Sequence, residues 1–384
     1  MKGFPDAHYA DGHPHDLYAS FRQEEGLTRH PDLPLWIVSR HADVRAVVTD
    51  PAAFRSADGI LISEIGVTYD TPPTLMHTDP PDHTRYRGLV APAFRPSVLR
   101  GLEEEIRDRV GLLLDAGPTD VVGDLAVPLP LQVICLMLGI PEDDWPRFFR
   151  WSEAFVPGAS TLPEDELLGL RVEAGMYLVG EAHARRVTPG ADVISQLATL
   201  EMDGDRLTDA ELVMFLIQLL VAGNETTRHS ISGGLVALAA HPDQWQLLRS
   251  RPDLVPHAVE EILRFTSPVV YFLRTATADC TLAGTPVAAG DRLMVLYGAA
   301  GHDPDAFGPT AGEFDVTRDS DALNLAFGFG PHFCLGATLA RMEIRVVLEE
   351  MLNRFSTLEP AGPATYNGSA VVTGLRTAPL TLRR

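Results

Sequence analysis

Apolar residues recur every three or four positions along most of the chain, and this spacing predicts a mainly helical protein. One such apolar face consists of Leu99, Leu102, Ile106, Val110, Leu113 and Leu114. A similar pattern runs from Leu167 to Val179. Strand-like segments are few and short, and they cover residues 35–39, 270–277, 280–287, 292–297 and the C-terminal end. The predicted fold class is therefore mainly α with small β-sheets.

The longest predicted helix begins at Thr208 and ends before Pro242. Thr208 and Glu211 stand in the order of a capping box, in which each side chain accepts a hydrogen bond from a free backbone N–H at the helix start. At about 1.5 Å per residue this helix is roughly 50 Å long, enough to cross the molecule. Its first half, residues 212–221, is almost entirely apolar, which predicts burial on most sides.

The centre of this helix breaks the apolar pattern with Ala-Gly-Asn-Glu-Thr-Thr at residues 222–227. Gly223 lowers helix stability, and a buried, unpaired carboxylate at Glu225 would lower it further. One interpretation is a glycine that packs against a neighbouring helix, with Glu225 in a structural ion pair. The other is a functional site in the middle of the helix. The pattern alone leaves both open.

No repeat and no Pro/Gly/Ser-rich linker divides the chain, so we predict one integrated domain over residues 1–384. Hydrophobic residues make up 45% and charged residues 22%, a mixture typical of globular proteins and not of disordered ones. The formal net charge of −21 opposes attraction to nucleic-acid phosphates and to anionic lipids. We therefore expect neither nucleic acid nor a membrane surface as a general partner.

The cysteines indicate a reducing compartment. Cys135, Cys280 and Cys334 are odd in number and far apart, which fits neither a disulfide framework nor a zinc cluster. The segment from Met1 to Tyr18 has no apolar core, so it resembles neither a signal peptide nor a membrane anchor. These observations predict a cytoplasmic protein without a membrane anchor.

One cysteine lies where chemistry is expected. Cys334 ends the segment Phe-Gly-Phe-Gly-Pro-His-Phe-Cys, and a helical run over 337–355 follows. A cysteine at a helix N-terminus is near free backbone N–H groups that favour a thiolate, and the flanking glycines let a flat ligand approach the backbone. The site suits a metal held by one sulfur. A buried, inert cysteine is the alternative, and a nucleophilic cysteine would need His332 as a base at an unfavourable spacing.

Five motifs together resemble the cytochrome P450 monooxygenases. The segment Phe327–Gly336, with Leu339 to Arg341 after it, resembles the family's haem-binding signature, and residues 222–227 resemble its oxygen-activation helix. The other three, in the family's chain order, are the HxxxR pair His83 and Arg87, the ExxR pair Glu261 and Arg264, and the loop Phe314-Asp315 with Arg318. The resemblance spans about Leu35 to Pro379. It implies the cytochrome P450 fold, with the long central helix crossing over the haem.

The resemblance also implies the cofactor and the residues that hold it. Cys334 is expected as the axial thiolate ligand of the iron of haem b. Phe327, Gly328 and Gly336 are expected beside the porphyrin on the sulfur side, and Ala222 and Gly223 on the opposite side, where Gly223 opens a groove. The haem propionates need cations and donors, which are expected to be His83, Arg87, Arg274 and His332. Glu261, Arg264 and Arg318 are expected to form a buried structural ion-pair network.

The same resemblance implies a catalytic pair and a substrate pocket. Thr226 is expected to offer a hydroxyl near bound dioxygen, and Glu225 to pass protons inward from water. The expected substrate-lining regions are the segment Gly59 to Tyr69, residues 269–272 and residues 371–372, all mostly apolar. The individual candidates are Ile60, Leu61, Ile62, Val269, Val270, Phe272, Val371 and Val372.

The implied activity is insertion of one oxygen atom from dioxygen into an apolar small molecule, by hydroxylation or epoxidation. Electrons from NAD(P)H are expected to arrive through a separate ferredoxin and ferredoxin reductase, docked on the Cys334 side near a basic patch of Arg341 and Arg345. Residues 222–228 and 267–277 resemble the corresponding segments of family members that oxidise steroids, terpenoids and methyl-branched lipids, so the resemblance favours these substrates. Oxidation of a polyketide or peptide in secondary metabolism, with the substrate free or carrier-bound, is the alternative. A peroxide-driven enzyme and a haem sensor are less compatible with the Glu225–Thr226 pair.

Overall fold

A helical body with small sheets at its edges forms the protein. The computed structural model describes residues 6–67, 72, 74–157, 160–201, 204 and 206–384. The helices are α1 (His15–Gln23), α2 (His41–Thr49), α3 (Asp82–Val90), α4 (Pro96–Leu99), α5 (Glu103–Asp115), α6 (Pro128–Leu138), α7 (Trp145–Phe155), α8 (Glu164–Val187), α9 (Val193–Thr199), α10 (Asp209–Ala240), α11 (Pro242–Ser250), α12 (Val255–Thr266), α13 (Tyr297–Gly301), α14 (Pro304–Phe307) and α15 (Ala337–Arg354). The predicted fold class is confirmed.

The largest sheet is mixed and has the strand order β1-β2-β7-β4-β3. β2 pairs in parallel with β7, and β7 pairs antiparallel with β4, so that Arg274 lies opposite Leu293 in the interior of the sheet. The other sheets are two-stranded ribbons of β5 with β6, β8 with β11, and β9 with β10. The strands are β1 (Thr28–Arg29), β2 (Leu35–Val38), β3 (Phe54–Arg55), β4 (Tyr271–Ala276), β5 (Cys280–Leu282), β6 (Thr285–Val287), β7 (Arg292–Leu296), β8 (Thr357–Pro360), β9 (Thr365–Tyr366), β10 (Leu375–Thr377) and β11 (Leu380–Arg383).

The long helix α10 begins and ends where the sequence predicts. The Thr208 hydroxyl accepts from the Glu211 N–H at 3.2 Å, and the Glu211 carboxylate accepts from the Thr208 N–H at 2.8 Å. The burial pattern differs from the prediction, because residues 212–221 alternate between buried and half-buried positions. The second half of the helix is the more deeply buried half, since α12, α15 and β8 pack there. Polar residues at 224–232 therefore lie in the interior of the protein.

A glycine brings α10 close to α12. A Cβ at Gly234 would lie 2.8 Å from the Ile262 side chain, so only glycine allows this approach. On α12, the Glu261 carboxylate accepts two hydrogen bonds from the Arg264 guanidinium, at 2.6 and 2.7 Å. Arg318 approaches the same carboxylate at 3.3 Å. The structure thus brings Glu261, Arg264 and Arg318 together as predicted, and Arg264 also donates to the carbonyls of Gly301, Ala311 and Glu313.

We propose that all these parts fold as one domain. Helix α10 contacts α6 and α8 from the first half of the chain and α12 and α15 from the second half. One core cluster includes buried side chains from Leu75 to Leu380. A chain divided into separate domains would not share one central helix in this way.

One buried carboxyl on α15 has no counterpart in the predictions. Glu343 is 2% exposed, and its Oε2 atom has no hydrogen-bond partner. Burial raises the pKa of Glu343 to about 8. Because the folded protein holds the proton more tightly than the unfolded chain, Glu343 lowers the free energy of unfolding increasingly as the pH rises from the ordinary glutamate range towards 8.

We expect Glu343→Gln to stabilise the protein at pH 8 and to have little effect near pH 5. The amide stays neutral and so avoids an ionisation cost of about 1.4 kcal/mol per pKa unit, which sums to the order of a few kcal/mol. Thermal unfolding of the parent and the variant, prepared with equal haem content, measures the change in stability at both pH values. We expect a midpoint raised by several degrees only at pH 8. Glu104→Gln, an exposed position on α5, is the control. An equal midpoint shift for Glu343→Gln at both pH values would contradict the account.

Candidate active site

Cys334 lies in a tight loop just before α15. The loop is closed by a hydrogen bond from the Cys334 N–H to the Phe327 carbonyl at 2.9 Å. Gly328 and Gly330 adopt positive φ angles of 68° and 70°. A Cβ at Gly330 would lie 2.6 Å from the Val48 carbonyl, so glycine there lets the loop pack against α2. Cys334 and its neighbours from Phe327 to Gly336 remain partly accessible.

The electrostatics of the thiol differ from the sequence expectation. Burial raises the pKa of Cys334, although the backbone N–H groups of Gly336 and Ala337 and the charges of Arg87 and Arg341 oppose this shift. The predicted amides at the helix N-terminus are therefore present, but burial outweighs them. A thiolate at this position needs a further positive partner, such as a metal ion.

Four cationic or imidazole side chains collect beside the cysteine loop, as predicted. The rings of His83 and His332 have centroids 4.4 Å apart. Arg87 donates to the carbonyl of Phe333 at 2.7 Å. Burial and the positive charges of Arg274, His83 and Arg87 lower the pKa of His332 to about 3. The imidazole of His332 is therefore neutral, and it lies 3.2 Å from the Ser56 hydroxyl.

This cluster fits the carboxylates of a haem group. Within the described residues, neither Arg87 nor Arg274 forms an ion pair with a carboxylate, and Nε2 of the buried His83 has no partner. Arg274 is 4% exposed, and its one hydrogen bond goes to the Leu273 carbonyl at 2.8 Å. Guanidinium groups with little solvent and no acidic partner suit a ligand that brings its own anions. Together with the sulfur of the half-buried Cys334, this donor set matches haem.

The centre of α10 has one open face. Ala222 is exposed, and Gly223 and Thr226 are half-buried, whereas Asn224 and Glu225 are buried. The Thr226 hydroxyl donates to the Ala222 carbonyl at 3.0 Å. The groove predicted at Gly223 is not what this glycine provides, because its absent side chain points towards α6, where a Cβ would lie 3.0 Å from Ile134. Gly223 serves helix packing, and Ala222 and Thr226 form the accessible face.

Glu225 is part of a buried polar network, in line with the ion-pair interpretation of the sequence, which did not name the partners. Its Oε2 accepts from Arg228 at 2.7 Å and lies 3.6 Å from Nε2 of His229, while Oε1 has no partner. Arg228 also approaches Glu153 at 3.8 Å. Burial raises the pKa of Glu225, but the charge of Arg228 and the nearby His229 outweigh this and hold the pKa below its ordinary value. Arg228 and His229 follow Glu225 by three and four positions on α10, and this spacing was the sequence signal for the network.

The structure separates the substrate candidates into two groups. Ile60 and Val270 are only 2% and 0% exposed, so they are core residues and do not line an open pocket. The other candidates keep accessible surface, and they are Leu61, Ile62, Val269, Phe272, Val371 and Val372. Thr68 and Tyr69, at the end of the predicted segment from Gly59, lie outside the described residues.

A carboxylate holds the first of these segments in place. Glu64 accepts from the backbone N–H groups of Ile60 and Leu61 at 2.7 and 3.0 Å, and it contacts Nε2 of His77 at 3.0 Å. The Ile60 carbonyl in turn accepts from the N–H of Leu273 in β4. Glu64 therefore fixes the apolar turn against the main sheet.

The predicted basic patch is not supported. Arg341 forms an ion pair with Glu260, with contacts of 2.5 and 3.1 Å. Arg345 forms ion pairs with Glu103 at 2.8 Å and Glu349 at 2.9 Å. Both arginines are thus neutralised within the chain, because α15 is flanked by acidic residues of α5 and α12.

Across the described ranges, no helix combines the length and the apolar character needed to cross a membrane.

Comparison with known proteins identifies the family. The cytochrome P450 family model matches residues 184–373. The chain is 37% identical over 392 residues to the methyl-branched lipid omega-hydroxylase of Mycobacterium tuberculosis, covering 95% of this chain and 90% of that protein.

Two solved structures are similar over nearly their full length. A mutant of P450 EryK in complex with erythromycin B has a TM-score of 0.86 at 32% identity, covering 96% of each chain. Cytochrome P450 CYP109E1 from Bacillus megaterium, in complex with corticosterone, has a TM-score of 0.86 at 31% identity, covering 97% of this chain and 98% of that one. The accessible Cys334 loop, the cations beside it and these similarities lead to one conclusion: the chain belongs to the cytochrome P450 monooxygenase family.

Proposed function

We propose that this cytochrome P450 monooxygenase inserts one oxygen atom from dioxygen into an apolar small molecule of the steroid, terpenoid or methyl-branched lipid type. The observation that carries the proposal is that the individual substrate candidates that keep accessible surface are apolar, namely Leu61, Ile62, Val269, Phe272, Val371 and Val372. An apolar pocket binds its ligand mainly by desolvation. A relative named as a methyl-branched lipid omega-hydroxylase and a similar structure in complex with corticosterone are consistent with such a substrate.

We assign the cofactor contacts to this chain's own residues. Cys334 would ligate the iron of haem b, and Arg87, Arg274, His83 and His332 would bind its propionates. When bound, haem ligated by a cysteine thiolate supplies dioxygen chemistry, because the sulfur donates electron density that favours O–O cleavage. The cysteine loop and the open face of α10 are the two surfaces that would hold the group.

We assign proton supply to Thr226 and Glu225. The Thr226 hydroxyl donates to the Ala222 carbonyl, so its oxygen can accept a hydrogen bond from the open face, and the hydroxyl must rotate away from Ala222 to donate one there. Glu225 is held as a carboxylate by Arg228, next to Thr226 in sequence. A carboxylate that is ionised yet buried takes up and returns protons only through groups beside it, which suits a relay.

We propose that electrons from NAD(P)H reach the site through a ferredoxin and its reductase. Arg45, Arg95 and Arg100 form no ion pair with a carboxylate of the described residues, and they belong to or flank α2 and α4. Helix α2 contacts the cysteine loop and α4 contacts α15, and Arg45 lies 4.4 Å over the Phe329 ring of that loop. These cations favour an acidic partner despite the net charge of −21.

A panel of ligands tests the substrate class. Binding spectra of the haem-loaded protein with steroids, terpenoids, branched fatty acids and macrolides, followed by product analysis with ferredoxin, ferredoxin reductase and NADPH, are the measurements. Oxidised steroid, terpenoid or branched lipid is the expected product. Turnover of macrolides alone would overturn the proposed class, and the similar structure of a mutant of P450 EryK in complex with erythromycin B makes macrolides a necessary part of the panel.

We expect Arg274→Leu to lower haem retention several-fold, because it removes a buried cation from the propionate site. The matched control is Arg345→Leu, which removes an arginine whose ion pairs are partly exposed and contribute little stability. The ratio of haem to protein after gel filtration measures the difference. Equal haem ratios in the two variants would rule out the assigned role of Arg274.

We expect Thr226→Ala to leave substrate affinity nearly unchanged and to lower product formed per NAD(P)H several-fold, with the lost reducing equivalents recovered as hydrogen peroxide. The alanine side chain lacks the hydroxyl and differs little in volume from that of threonine. Glu225→Gln keeps the shape of the side chain and mainly slows turnover.

Thr227→Ala is the control for the relay, because its side chain points about 100° away from that of Thr226 on the same helix. Product and peroxide are quantified in parallel for all variants. The relay assignment fails if Thr226→Ala matches the parent, or if Thr227→Ala loses as much product.

A further inference from the structure

His229 joins the carboxylate of Glu225 to a loop at the other end of the sequence. The ring is 1% exposed. Its Nε2 atom lies 3.6 Å from Oε2 of Glu225 and 3.4 Å from Nδ2 of Asn367. Its Nδ1 atom has no partner among the described residues. One nitrogen thus faces an acceptor on one side and a donor on the other.

The orientation of the Asn367 amide is fixed by its own loop, residues 367–374. Its Oδ1 atom accepts from the N–H groups of Ser369 and Gly374 at 3.2 and 3.3 Å, and its Nδ2 atom donates to the Val372 carbonyl at 2.8 Å. The NH2 group therefore points towards His229, and reversal of the amide would break three hydrogen bonds.

The loop is also shaped around the histidine ring. A Cβ at Gly374 would lie 2.1 Å from Cγ of His229, so only glycine admits the ring. The loop contacts the substrate segments as well, because the Val270 N–H donates to the Val371 carbonyl at 2.9 Å and Val269 pairs with Val372. The ring is thus enclosed between α10 and a segment that carries substrate candidates.

A neutral imidazole nitrogen either donates or accepts, but not both. Burial lowers the pKa of His229, so the ring is neutral. With hydrogen on Nε2 it is attracted to Glu225 and repels the Asn367 amide. With hydrogen on Nδ1, the Nε2 atom accepts from Asn367 and no longer attracts the Glu225 carboxylate. Both observed distances are longer than a normal hydrogen bond, so a small movement shortens either contact.

We propose that His229 is a positioning residue that couples the Glu225 carboxylate to the loop 367–374 through the alternative contacts of its Nε2 atom. A ligand that displaces Val371 or Val372 alters the contact between Asn367 and Nε2 of His229. It thereby alters the contact that the same Nε2 atom makes with Glu225. The consequence for turnover rests on the proposed role of Glu225 in proton supply, whereas the coupling itself is structural.

Hydrogen–deuterium exchange of the backbone amides in residues 367–374, in the haem-loaded protein, tests the coupling. In His229→Leu the loop loses its contact with the ring, and we expect exchange about tenfold faster, equivalent to about 1.4 kcal/mol. In His229→Gln the terminal amide presents a donor to Glu225 and an acceptor to Asn367, so exchange stays within about twofold of the parent.

A double-mutant cycle isolates the role of the ring. Glu225→Gln alone removes the attraction that holds Nε2–H, so the ring turns to Asn367 and loop exchange slows several-fold. The same change in the His229→Leu background has no effect on the loop. Thr227→Ala, also buried on α10, leaves loop exchange unchanged in both backgrounds.

The outcomes separate this inference from the proposed function. Loop exchange that is unchanged in His229→Leu, or that responds to Glu225→Gln equally with and without the ring, overturns the coupling whatever the activity. If the loop responds as expected while Glu225→Gln and Thr226→Ala turn over like the parent, the coupling stands and the proton relay fails.

Discussion

Positive charge held away from solvent beside the cysteine loop is the constraint on which the site depends. Arg87 and Arg274 have no carboxylate partner among the described residues, and burial of His332 together with their charges lowers the pKa of this imidazole. Such a cluster is costly by itself and is stabilised by an anionic ligand. The main sheet supplies Arg274, α3 supplies His83 and Arg87, and the loop before α15 supplies His332 and Cys334. Parts far apart in sequence therefore converge beside the cysteine loop.

The interior half of α10 shows how the fold accommodates a run of buried polar residues. Glu225 is buried but ionised, because Arg228 one turn later provides the compensating charge. Gly223 and Gly234 let α6 and α12 pack closely against the same helix. The accessible face at Ala222 and Thr226 is left between these contacts. The packed face and the accessible face are therefore different faces of one helix.

The sequence predicted the elements with strong local signals. The capping box and the proline at 242 located α10, and short motifs located the cysteine loop and the Glu261–Arg264 pair. Features set by tertiary contacts were missed or misjudged. The sequence does not show that Ile60 and Val270 are core residues, that Glu260 and Glu103 neutralise Arg341 and Arg345, or that the ring of His229 contacts Asn367, 138 positions away. Each depends on which elements pack together, which periodicity alone does not encode.

Ligation of haem iron by the Cys334 sulfur is the central claim, and the absorption spectrum of the reduced, carbon monoxide-bound protein tests it most directly. The account predicts the red-shifted Soret band that distinguishes thiolate from histidine ligation. It also predicts loss of this band in Cys334→His, even where haem is retained, and its persistence in Cys280→Ser. A parent protein without this band, or a Cys334→His variant that keeps it, would contradict the account.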